Sequence, residues 1–254
     1  MGEYFWKQYE DLPEGLGYMR FSAAHIITLV ILIVLIILAV RILTGKSSRL
    51  ASAMPVIPWI MVCMEVFKDI FLIHTGHFGP GYLPLHLCSL GLFVFIAASL
   101  SKTDRWRMIW GEIACILILP GTAAALLFPD WAHLYPVFNF MNFYGYAWHG
   151  MLLLYPVLMV KRGWTHLSIR HAHYIWIFMI AAAVPVYVFD RMADCNFMFV
   201  NWPPKGTPLE WIAKITGDSL YLAGYAVFAV FVIGLIYAGI GLYHWRHHRT
   251  CDGA

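Results

Sequence analysis

Apolar residues run in seven long stretches along this chain, separated by short polar or turn-rich connections. The stretches extend from Phe21 to Leu43, Met54 to His74, Tyr82 to Leu100, Trp106 to Phe128, Leu134 to Val160, His171 to Phe189 and Ser219 to Tyr243. A helix rises about 1.5 Å per residue, so each can cross a hydrocarbon core of about 30 Å. Strands of a membrane barrel would instead alternate apolar and polar positions over about 10 residues. The pattern predicts an all-α, polytopic membrane helix bundle with seven transmembrane helices. Residues 1–254 form a single integral membrane domain, because spans and loops leave no room for a soluble one. The first stretch follows an acidic, aromatic tail and lacks a small-residue cleavage site, so it is expected to be a span and not a cleaved signal.

Composition agrees. Hydrophobic residues make up 61% of the chain and charged residues 12%, against about 25% charged in soluble domains. Mean hydropathy is +0.69. The net charge of +3 is small, and no basic cluster suits a nucleic acid, so membrane lipids are the expected partners. The positions of Lys and Arg say more than their sum. Arg41, Lys46 and Arg49 follow the first span, Lys102, Arg105 and Arg107 the third, and Lys161, Arg162 and Arg170 the fifth; Arg246 and Arg249 lie in the C-terminal tail. The other side holds only Lys7, Arg20, Arg191, Lys205 and Lys214. This bias fits an odd number of spans, with the N-terminus outside and the C-terminus in the cytoplasm.

Against that background the intramembrane polar residues stand out, since they are costly there and tend to mark function. Glu65, Lys68 and Asp69 share one face of the second span. His86, Cys88 and Ser89 open the third. Asn139, Asn142 and His149 lie along the fifth, and Asp190 with Arg191 closes the sixth. In the expected orientation they fall in the outer half, with His149 toward the middle, a layer at similar height that implies a cavity. Glu112 lies in the inner half, outside this layer. The long outer connection from Asp190 to Asp218, with Asn196-Phe197-Met198-Phe199, has the length of a lid or binding loop.

Each residue also has a plain structural use. The Glu65, Lys68 and Asp69 group is neutralised internally. Cys63 and Cys115 read as small hydrophobes. On a continuous helix His86 and Cys88 would point about 200° apart, so they are not expected to pair with each other. A thiol and an imidazole at similar depth on different helices are the minimum of a Cys–His nucleophile pair, which Glu65 or Asp69 could orient. No CxxC or metal-ligand spacing occurs, no disulfide framework is expected, and no cofactor or metal is implied. The outer-loop histidines His74, His77 and His133 read as solvated, as do His244, His247 and His248 in the tail.

Leu83-Pro84-Leu85-His86-Leu87-Cys88-Ser89 resembles the signature of the YwaF-type integral membrane proteins of bacteria. Gly121 to Asp130, His149-Gly150 and Asn196-Phe197-Met198-Phe199 follow in the family's order. The resemblance runs from the second span to the seventh and implies a location in the bacterial plasma membrane. The family's animal relatives include a membrane acyltransferase that loads acyl groups onto ether phospholipids. By that resemblance Cys88 is the nucleophile and His149, or else His86, the base. Glu65, Lys68, Asp69, Ser89, Asn139, Asn142 and Asn196 are the expected substrate-binding or orienting residues. The chain departs from the family pattern in having Trp148-His149 where a His-His pair is frequent. The expected function is a thiol-dependent lipid acyltransferase or hydrolase. The alternatives are an ion- or proton-coupled small-solute transporter and a non-catalytic lipid-binding membrane protein.

Overall fold

The computed structural model describes residues 2–45 and 49–251. Lys46 lies outside the described residues, as do the side chains of Arg49, Arg246, His247, His248, Arg249 and Cys251. Among the described residues the chain forms eight α-helices: α1 (Ala23–Thr44), α2 (Ile57–His74), α3 (Leu87–Leu100), α4 (Asp104–Leu127), α5 (Phe140–Lys161), α6 (Ala172–Ala193), α7 (Pro208–Thr216) and α8 (Tyr221–Cys251).

Local chemistry sets several starts. Ser22, Thr103 and Asn139 cap α1, α4 and α5, their side-chain oxygens accepting from the N–H groups of His25, Trp106 and Met141. Helix α4 widens into a π-helical turn over Ala114–Ile118, just before Pro120. Proline has no N–H to donate, and the wide turn lets the helix continue past it.

Five helical segments are long and apolar enough to cross a membrane: Ala23–Thr44, Asp104–Leu127, Phe140–Lys161, Ile169–Ala193 and Asp218–Trp245. The chain is therefore a helical membrane bundle. The other two expected spans differ. Helix α2 has 18 residues and carries Glu65, Lys68 and Asp69 within them. Helix α3 has only 14 residues and begins at Leu87, not near Tyr82. Gly79-Pro80-Gly81 and Pro84 disfavour helix there. After a short 3-10 turn at Pro80–Tyr82, residues Leu83 to His86 run as a non-helical lead-in.

Helix α5 is the centre of the bundle and packs against α1, α2, α3 and α4. The core between them holds Met61, Phe95, Ile116, Leu152, Tyr155 and Leu158. Tyr155 packs tilted against Phe95 at 4.6 Å and hydrogen-bonds Ser99 across the interface at 2.7 Å. Gly91 lets α3 approach this closely, because a Cβ there would meet Leu152 at 2.7 Å and Ile118 at 2.9 Å. Helices α1, α6 and α8 lie at the periphery and expose long apolar faces.

The connection after α6 is partly ordered as secondary structure. Asp194 ends α6 in a left-handed conformation, a strap follows, and the short α7 leads into α8. Phe197, Met198 and Val200 of the strap pack on Leu83, Leu85, Leu87 and Leu90. The expected loop thus covers the start of α3.

Candidate functional site

A cavity of about 250 Å3 lies at this end of α3. Glu65 and Lys68 of α2, His86, Cys88 and Ser89 at the start of α3, and Tyr144, Gly145, Trp148 and His149 of α5 line it. Tyr82, Trp131 and Tyr135 from the connecting segments complete the wall. Three helices therefore bring together six of the residues expected from the sequence. Asp69 stays beside the group, paired with Lys68 at 3.1 Å, without lining the cavity.

Cys88 is the second residue of α3, and His86 is its N-cap. The first backbone hydrogen bond of the helix runs from the Leu90 N–H to the His86 carbonyl. The N–H groups of Leu87, Cys88 and Ser89 consequently have no intrahelical acceptor. This positive end of the helix is where a developing negative charge is best accommodated. It also corrects the expected geometry. His86 stands outside the helix, so the 200° separation does not apply, and both side chains reach the same cavity.

His149 is buried, and its Nδ1 donates to the carbonyl of Gly145 at 2.7 Å. A carbonyl only accepts, so the hydrogen sits on Nδ1 and Nε2 keeps its lone pair. The expected orientation of the base by Glu65 or Asp69 is not what the structure provides. Glu65 instead accepts from Lys68 Nζ at 2.7 Å and from the Tyr144 hydroxyl. Lys68 also donates to the carbonyl of Tyr82 at 3.3 Å. The trio forms a buried, paired polar wall.

The three expected asparagines play other parts. Asn139 caps α5 and donates to the carbonyls of Tyr4 and Lys7, each at 2.8 Å, tying down the N-terminal segment. Asn142 accepts from the Tyr18 hydroxyl and donates to the Val137 carbonyl. Neither lines the cavity. Asn196 folds the strap through bonds to Asn201 and Trp202 and faces a second pocket of about 480 Å3, beside the strap. Asp190 is fully buried at the end of α6, its carboxylate facing the Phe197 N–H without a well-formed hydrogen bond. Arg191 lies over Tyr187. The polar layer thus contracts to α2, α3 and α5.

Sequence reasoning missed Tyr144, Trp131 and the pair Tyr82 and Tyr135. Gly145 stands one helical turn before His149, the spacing at which a carbonyl meets a side chain, and that signal was legible. Trp131, in a short loop, offered none. Tyr82 and Tyr135 of the cavity wall both hydrogen-bond the fully buried Gln8. Burial pushes the Tyr82 hydroxyl up to about 12, so it stays protonated and neutral where it accepts from the Gln8 amide.

Glu112 lies in a second, separate polar centre, as its depth implied. It accepts from the Ser168 N–H at 3.0 Å, His171 Nδ1 at 2.6 Å and the Tyr237 hydroxyl at 2.9 Å, joining α4 to α8 and to the start of α6. Among the described residues no group of three His, Cys, Asp or Glu side chains could hold a metal ion. His77 faces Asp11 at 3.6 Å.

The fold and this cavity define a polytopic helical membrane protein with a buried polar site behind an aromatic rim. The chain belongs to the TMEM164 family, whose sequence model matches residues 20–237. No curated protein and no solved structure matches the chain significantly. The family match carries the membrane class; the YwaF-type name and the acyltransferase relationship are not part of it.

Proposed function

We propose that this protein is a membrane-embedded acyltransferase acting on lipid acyl esters through Cys88 and His149. The observation that carries it is one cavity lined by a thiol at a helix N-terminus and by an imidazole whose Nε2 lone pair is unengaged among the described residues. His149 takes the proton from Cys88, and the sulfur attacks the ester carbonyl. Collapse of the tetrahedral intermediate expels the alcohol oxygen, which takes the proton back from His149, and leaves a thioester. A lysolipid hydroxyl, deprotonated by His149, then attacks the thioester and regenerates the thiol. Water in the acceptor's place gives hydrolysis. The resemblance to an ether-phospholipid acyltransferase supports the same assignment.

We read seven crossings, with α2 and α3 packed on α5 as the additional two, an outer N-terminus and a cytoplasmic C-terminus, in a bacterial plasma membrane. The Lys and Arg asymmetry supports this topology. The test is Cys88→Ala and His149→Ala in purified protein with defined phospholipid donors and lysolipid acceptors. Loss of transfer and of a hydroxylamine-sensitive acyl adduct is expected from Cys88→Ala. Unchanged transfer would refute the assignment. Proton-coupled transport would draw on Glu65, Lys68 and Asp69; flux that survives Cys88→Ala and fails in Glu65→Gln would favour it. Bound lipid without turnover would favour a lipid-binding role.

A further inference from the structure

His86 and His149 face one cavity in opposite hydrogen-bonding states. The Met198 N–H donates to His86 Nδ1 at 3.3 Å. A ring nitrogen that accepts from a backbone N–H carries no hydrogen, so in the neutral ring the hydrogen sits on Nε2. At His149 the carbonyl of Gly145 imposes the reverse tautomer. One imidazole therefore offers the cavity a lone pair and the other an N–H.

The surroundings hold His86 in this state. Its ring packs edge-on to Phe197 at 5.0 Å and tilted against Phe199 at 5.6 Å. Met198 and Phe199 adopt φ of 54° and 58°, a left-handed backbone that non-glycine residues seldom take. Such strain persists only where the surrounding structure imposes it, and here it accompanies the Met198 N–H bonded to the ring. His86 Nε2 has no hydrogen-bond partner among the described residues, and the ring lines both the Cys88 cavity and the pocket beside the strap. Beside it, the N–H groups of the first turn of α3 lack intrahelical acceptors.

We propose that His86 is the oxyanion donor of this site and not its base. This rests on the thiol mechanism proposed above. As the sulfur–carbon bond forms, the carbonyl pair moves onto oxygen. The Nε2–H of His86 and a first-turn N–H of α3 hydrogen-bond that oxygen. His86 keeps its proton throughout, while the proton that moves is shuttled by His149. Donors aimed at where charge develops are worth about 10²–10³ in rate each.

The test uses the full chain in detergent or nanodiscs, with a medium-chain p-nitrophenyl ester as acyl donor and iodoacetamide as thiol probe. Alkylation by iodoacetamide builds no oxyanion. His86→Leu should lower ester turnover about 10²–10³-fold and leave Cys88 alkylation and its pH profile within about twofold of the parent. His86→Gln, which keeps a side-chain N–H, should recover part of the turnover at an unchanged unfolding temperature. His149→Ala should lower both turnover and alkylation. Loss of alkylation in His86→Leu and His86→Gln to the level of His149→Ala would make His86 a base and overturn the proposal. Turnover within threefold of the parent in His86→Leu would overturn it as well. If Cys88→Ala turns over like the parent, the thiol mechanism itself fails and takes this proposal with it, so the two failures are distinguishable.

Discussion

Trp131 lies flat on His149, with ring centroids 4.8 Å apart and planes 21° from parallel. The stack and the Gly145 carbonyl together hold the imidazole in one orientation. Gly145 makes the stack fit, since a Cβ at that position would meet the indole at 2.9 Å. Gly145→Ala favours the helix by about 1 kcal/mol, yet it must push Trp131 aside. Turnover should fall by up to about 10²-fold, the effect of an ångström-scale misplacement, with little change in unfolding temperature. Parallel rate and melting measurements on the purified variant decide this.

The Glu65–Lys68 pair should behave as a unit. Its side chains are largely buried, at 11% and 7% exposure. Lys68→Met leaves Glu65 with only the Tyr144 hydroxyl, and Glu65→Gln leaves Lys68 with Asp69 and the Tyr82 carbonyl. Removing one partner of a buried pair costs about 3–5 kcal/mol. The double variant should cost less than the sum of the two. A double-mutant cycle on detergent unfolding measures the coupling, and additive costs would contradict it.

Glu112 should matter for stability and not for chemistry. Its three donors come from different parts of the chain. Glu112→Leu leaves them without an acceptor, at about 1–3 kcal/mol for each buried group. The variant should unfold at lower temperature while the folded fraction keeps the parent rate of Cys88 alkylation.

Gln8 backs the cavity wall by bonding both Tyr82 and Tyr135. Gln8→Ala removes the amide that both hydroxyls share and opens the cavity wall at that point. A membrane-impermeant thiol reagent should then modify Cys88 several-fold faster than in the parent. An unchanged rate would show that access lies elsewhere.

Much of this protein was legible along the chain. Burial in lipid depends on summed hydrophobicity, which is local and additive, so the apolar runs marked the helices and the membrane class. The cost of polarity in hydrocarbon likewise singled out Cys88, His149 and the Glu65 group. Side-chain direction and partner choice are not local. His86 was judged by helical periodicity, but Pro84 and the glycines before it delay the helix to Leu87, which turns His86 into an N-cap. Its ring partner comes from Met198, 112 residues further on. Asn139 and Asn142 had the right depth and the wrong direction, because helix starts and the N-terminal segment claim their hydrogen bonds. The sequence alone determined a helical membrane protein with a thiol and imidazoles within its apolar stretches. Only the tertiary structure decided which nitrogen of each imidazole keeps its hydrogen, because that is set by backbone groups brought up through folding.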